Sequence, residues 1–73
     1  MTPSQIGQAV RTARKAMGLR QSELAGVANV GLRFIIDLEA GKPTAQLGKT
    51  LAVLDALGCK LKIDLPPPRD SRP

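Results

Sequence analysis

At 73 residues the chain is one domain at most, in the size range where a lone hydrophobic core is only marginally stabilising and help from a second chain is expected. A single cysteine, Cys59, and no histidine rule out an internal disulfide and leave no cluster of Cys, His and acidic residues with metal-ligand spacing. Eleven Lys and Arg against six Asp and Glu give a formal charge of +5 and favour a polyanionic partner, while the sole aromatic, Phe34, argues against binding single strands by base stacking and for duplex DNA.

The opening MTPSQIGQAV lacks a charged region followed by a long apolar run, and no later stretch has the length to span a bilayer, so a reduced cytoplasmic setting is expected. A membrane surface, the competing polyanion, would call for a basic amphipathic helix with bulky apolar anchors, which is not found. Thr2, Pro3 and Gln5 spell a helix start: a capping hydroxyl, a Pro at the first helical position and a Gln that returns the cap bond. Ile6, Val10, Ala13 and Met17 then recur at spacings of four, three and four, an apolar stripe that Gly18 can end in the left-handed conformation. Arg11, Arg14 and Lys15 fall away from that stripe.

After Leu19, the run RQSELAGVANVG predicts a second helix of about two turns on Leu24, Ala25 and Ala28, with Asn29 as a left-handed stop. Gly26 inside it costs roughly 1 kcal/mol relative to Ala, so packing must hold the helix. Val30 and Gly31 make a tight turn into a third helix, from about Leu32 to Ala40, closed by Gly41 with Pro43 beyond. Residues 44 to 46 read as a connection, and LGKTLAVLDALG predicts a fourth helix through Leu47, Leu51, Leu54 and Leu57, ended by Gly58. The period then changes to two: CKLKIDL alternates Cys59, Leu61, Ile63 and Leu65 with Lys60, Lys62 and Asp64, as a strand with one buried face does. The tail PPPRDSRP, residues 66–73, is polar and polyproline-like and is expected to be disordered.

The run RQSELAGVANVGLRFIIDLEAGKP resembles the helix-turn-helix of the Xre/Cro family of bacterial and phage repressors, through Gln21, Glu23, Leu24, Ala25, Val30, Ile35, Leu38, Glu39 and Gly41 at the family's spacings. The resemblance covers about residues 4 to 58 and implies a mainly α, lambda-repressor-like domain of four to five helices, taken as residues 1–58. Elementary geometry agrees. Two short helices joined by a tight turn cross steeply and want a small residue where they meet, for which Ala25 serves, and the second helix then projects for the major groove. Turning helix 3 by about 100° per residue puts Phe34, Leu38, Ile35, Glu39 and Leu32 on the inward arc and Ile36, Ala40, Arg33 and Asp37 on the outward one.

On the outward face Arg33 is the candidate base reader, since a guanidinium can donate twice to O6 and N7 of guanine. Ile36 could touch a thymine methyl, and Asp37 could accept from a cytosine amine or orient Arg33. Leu32 stands at the amino end, where recognition helices approach base edges, or else completes an apolar contact. Gln21 resembles the family glutamine that braces the recognition helix and reaches phosphate; with the first backbone amides of its helix, Arg20 and Ser22 complete a phosphate seat. Lys42 and Thr44, just past helix 3, are further phosphate candidates, whereas Arg11, Lys15 and Lys49 read as solvated surface. The resemblance also implies that Glu39 pairs with Arg14 as a structural ion pair.

One strand forms no sheet by itself, and four helices offer no edge. The strand 59–65 therefore requires a second chain, and two-fold pairing of Cys59, Leu61, Ile63 and Leu65 satisfies both backbones. This ending resembles the HipB-like branch of antitoxins, in which a C-terminal strand closes the dimer; in that branch the antitoxin binds its own promoter and holds a toxin, often a HipA-like kinase. The expectation is thus a cytoplasmic homodimeric repressor that binds palindromic duplex DNA, partners a protein toxin, and has no cofactor and no membrane association. An enzyme is disfavoured, with no His, no Tyr, no nucleophile beside a general base and no phosphate-cradling Gly-rich loop. The alternatives are a protein-interaction module using the partly apolar outward face of helix 3, and a stand-alone phage-type repressor without a toxin.

Overall fold

A computed structural model describes residues 1–68, and among these the chain forms four helices and no strand: α1 Pro3–Ala16, α2 Gln21–Ala28, α3 Leu32–Glu39 and α4 Leu47–Ala56. Helix α1 opens on a reciprocal capping box, with Thr2 Oγ1 accepting from the Gln5 amide at 3.1 Å and Gln5 Oε1 accepting from the Thr2 amide at 2.8 Å. Only half of such a box exists at α2, because an Arg side chain has no acceptor; Glu23 Oε1 takes the Arg20 amide at 2.8 Å.

The helix stops are local and lie where the sequence puts them. Asn29 takes φ 58° and ψ 46°, which turns the chain so that the Val30 amide reaches back to the Ala25 carbonyl at 3.0 Å and α3 can start after only three residues. Gly41, at φ 85°, closes α3 with two reversed bonds, Gly41 N–H to Leu38 O and Lys42 N–H to Asp37 O, each 3.0 Å.

Which side of a helix faces inward differs from the sequence expectation in α1 and α4. In α1 the buried residues are Gly7, Val10 and Arg14, with Ile6 and Ala13 flanking them and Met17 exposed. In α4 they are Thr50, Val53 and Leu54, joined by Leu57 just beyond, while Leu47 and Leu51 face out. Both rotations have a polar cause. Arg14 is drawn in by Glu39, and Thr50 can be buried because its hydroxyl donates to the Gln46 carbonyl one turn earlier, at 2.9 Å.

The core is Val10, Leu24, Ala25, Ile35, Leu38, Val53, Leu54 and Leu57, one residue or more from every helix. Helix α3 packs on both α1 and α2, and α2 also packs on α4, so α3 is clamped along its inner side. The clamp is close at Gly7: a Cβ there would stand 2.9 Å from the Glu39 carbonyl oxygen and still nearer that of Leu38. Beyond Gly58, residues 59–68 carry no regular secondary structure. The strand expected over residues 59–65 is not found: a strand needs a ladder partner, and the described residues supply none. Of the tail expected to be disordered, residues 66–68 lie in this stretch, and residues 69–73 lie outside the described residues.

Candidate nucleic-acid interface

Behind α3, three elements converge on one carboxylate. Arg14 of α1 donates from Nε to Glu39 Oε2 at 2.6 Å and from Nη2 to Oε1 at 3.0 Å, and Gln21 of α2 adds its Nε2 to Oε1 at 3.1 Å. The remaining Arg14 nitrogen, Nη1, donates to the Leu19 carbonyl at 2.9 Å, tying in the α1–α2 connection. The side chains of Arg14 and Glu39 are 10% and 4% exposed. The hydrogen bond to Glu39, aided by its negative charge and opposed by burial, raises the Arg14 pKa above its already high value. A fork-on-fork pair of this kind fixes direction as well as distance, so the carboxyl end of α3 is set in angle relative to α1 and α2.

On the opposite side α3 presents a mixed face. Arg33 projects with its side chain 80% exposed, and its Nε lies 3.3 Å from Oδ1 of Asp37, one turn on, whose side chain is 24% exposed. The second carboxylate oxygen, Oδ2, lies 3.6 Å from Lys42 Nζ. Ile36 is half-buried. Leu32, which the helical projection placed inward, is exposed at the amino end of α3, while Ile35 of the same turn is fully buried. Arg20 and Ser22 are exposed at the start of α2, beside the half-buried Gln21, where the first-turn amides of a helix have no partner inside it.

The turn from α3 to α4 gathers further polar groups. A small concavity of about 170 Å³ is lined by Asp37, Lys42, Thr44, Gln46 and Lys49 over the ring of Phe34. Lys49 Nζ stands 5.8 Å from the centre of that ring, within cation–π reach. Sequence reasoning treated Lys49 as solvated surface and gave Gln46 no role, and only the α3–α4 turn brings them beside Lys42 and Thr44. Gly7 was also missed, and its sequence position does not mark it: Gly26 and Gly48 also lie inside helices, yet a Cβ at either would meet open space.

The residues expected to dimerise lie apart from this face. Cys59 is partly buried against the core. Leu61 is exposed, and Ile63 and Leu65 are 77% and 83% exposed. An open apolar groove of about 390 Å³ is lined by Ile6, Ala9 and Leu54 together with Cys59 and Leu61. Among the described residues no three His, Cys, Asp or Glu side chains are placed to hold a metal ion, and no helix is long and apolar enough to cross a membrane.

Residues 10–63, which hold every group described above except the start of α1 and the end of the extended segment, match the helix-turn-helix family. The chain is also 66% identical over 65 residues to a protein of Sinorhizobium fredii (strain NBRC 101917 / NGR234) named as an uncharacterized HTH-type transcriptional regulator, y4mF; the match covers 89% of this chain and 86% of the relative.

Proposed function

The chain belongs to the helix-turn-helix family, and from that premise we propose that it is a sequence-specific, dimeric DNA-binding repressor with α3 as its recognition helix. The observation that carries this reading is the brace behind α3: Glu39 saturated by Arg14 and Gln21 holds the helix at one angle while Arg33, paired through Nε with Asp37, stays exposed on the other side. In the major groove Arg33 donates to guanine, Ile36 and Leu32 supply apolar contact to thymine methyls, and Asp37 faces the bases beside Arg33. Arg20, Gln21 and Ser22 seat one phosphate on the first turn of α2, and Lys42, Thr44 and Lys49 seat another at the α3–α4 turn.

Residues 59–65 act in this reading as the dimerisation strand of the helical domain 1–58, pairing with the same segment of a two-fold related copy. The exposed Ile63 and Leu65, and the apolar groove that Cys59 and Leu61 line, support it. Such a dimer sets two recognition helices about 34 to 36 Å apart, one turn of a palindromic operator. The protein performs no catalysis, needs no cofactor and works on the bacterial nucleoid. Its resemblance to the HipB-like branch supports the further reading that it is the antitoxin of an operon that it represses itself, with a HipA-like kinase as the second partner. Co-expression with the product of a neighbouring kinase-like reading frame tests that branch: a stable complex supports it, and a kinase left free and active contradicts it.

The DNA reading is tested with a duplex selected by the wild-type protein from a randomised pool, compared with a shuffled duplex of the same composition. Arg33→Ala is expected to lose roughly 1–3 kcal/mol of discrimination per half-site, the worth of the guanine contact. Unchanged discrimination would remove Arg33 from base reading and favour the protein-docking alternative for this face.

A further inference from the structure

Asp37 is a carboxylate set among cations on the face that the reading above turns toward a polyanion. Of the acidic side chains in the described residues, Glu39 is spent on the brace and Glu23 on the start of α2, whereas Asp37 holds one cation with each oxygen: Arg33 Nε at 3.3 Å and Lys42 Nζ at 3.6 Å. These contacts leave the two groups differently placed. An Arg held at Nε keeps its terminal nitrogens, Nη1 and Nη2, directed outward, the pair that donates end-on to guanine. A Lys held by its only nitrogen has its charge partly neutralised where it stands. The backbone keeps the two residues adjacent, since the Lys42 amide donates to the Asp37 carbonyl at 3.0 Å, while the flexible Lys42 stem leaves its ammonium able to swing away.

Resting on the DNA-binding reading, we propose that Asp37 is a specificity-determining positioning residue: its carboxylate points Arg33 for base reading and withholds Lys42 from phosphate on duplexes that offer Arg33 no guanine. On random sequence the carboxylate repels the backbone and cancels Lys42, so electrostatic binding is weaker than the cation count implies. At a matching G·C pair Arg33 keeps its Nε on Oδ1 while donating to guanine, the N4 amine of the paired cytosine donates to Oδ2 in place of Lys42, and Lys42 is released to the adjacent phosphate. Asp37 thus lowers affinity for the wrong duplex more than for the right one, which is how discrimination is built from a repulsive element.

The test measures binding of the full chain to the selected and shuffled duplexes across a salt series. Asp37→Asn keeps the size and a hydrogen-bonding oxygen but removes the charge. It is expected to bind the shuffled duplex several-fold more tightly, with a log–log salt slope steeper by about one phosphate contact, and so to discriminate less well. Adding Lys42→Met to that variant is expected to take the extra slope away. A purely structural role for Asp37 would move thermal stability and leave the salt slope alone. Unchanged slope and discrimination in Asp37→Asn, with wild type still selecting its duplex, would overturn the proposal and leave the DNA reading standing. Wild type that selects no duplex would overturn both. Lys42→Met alone should leave the shuffled-duplex slope unaltered, and a slope shallower by about one contact would equally refute the withholding of Lys42.

Discussion

A carboxylate that is 4% exposed is tolerable in a protein interior only when its neighbours saturate it, and Glu39 has three N–H donors aimed at it. Removing one partner of such a pair leaves a buried charge uncompensated, which costs about 3–5 kcal/mol, a large share of what a domain this small has in total. Arg14→Met is therefore expected to lower the urea midpoint steeply with little change in slope, and a loss below about 1 kcal/mol would mean that the pair behaves as a surface one. Gln21→Ala removes one neutral donor to that charged carboxylate and should cost about 1.5–3 kcal/mol. The pairing of Arg14 with Glu39 was legible only through the family resemblance. Periodicity alone set Arg14 outside the apolar stripe of α1, because a helical projection sees residue type and not the carboxylate waiting on another helix.

At the scale of the element, the chain punctuates its helices where local conformation demands it. Gly18, Asn29, Gly41 and Gly58 all have positive φ, a requirement felt within one turn and so visible in the sequence. What faces inward is decided across elements and was less visible. Leu47 and Leu51 looked as suitable for burial as Leu54, but Thr50 takes the inner position because its hydroxyl is satisfied by its own helix. Gly7 belongs to the same lesson. A glycine reads as a weak point in a helix, yet here α1 lies against the last carbonyls of α3 and has room for nothing larger. Gly7→Ala is accordingly expected to destabilise by about 1–3 kcal/mol in spite of the better helix propensity of Ala; a thermal midpoint at or above wild type would show that α1 and α3 can separate at no cost.

For the whole molecule, two surfaces have opposite character. The α3 side is charged and braced from behind, and the side around residues 59–65 carries an apolar groove at Cys59 and Leu61 and exposed Ile63 and Leu65 between charged neighbours. The alternating pattern of the second surface was plain in the sequence, but a ladder needs two strands, so a single chain has none to show. If two copies pair there, Ile63→Asp should give monomers in sedimentation and weaker binding to a palindromic duplex, and a dimer that survives the change would contradict the strand-pairing proposal. The first surface was partly legible: projection of α3 put Arg33, Ile36 and Asp37 outward together. The gathering of Lys42, Lys49 and Gln46 depends on the turn after Gly41, which no helical period encodes. The claim on which the account depends most is that this braced, basic face binds duplex DNA through phosphates as well as bases. Binding of the wild-type chain to its selected duplex, followed from about 50 to 200 mM salt, measures it directly, since each neutralised phosphate adds roughly 0.9 to the slope. The account predicts a straight log–log fall with a slope of several contacts, and a flat response would contradict it.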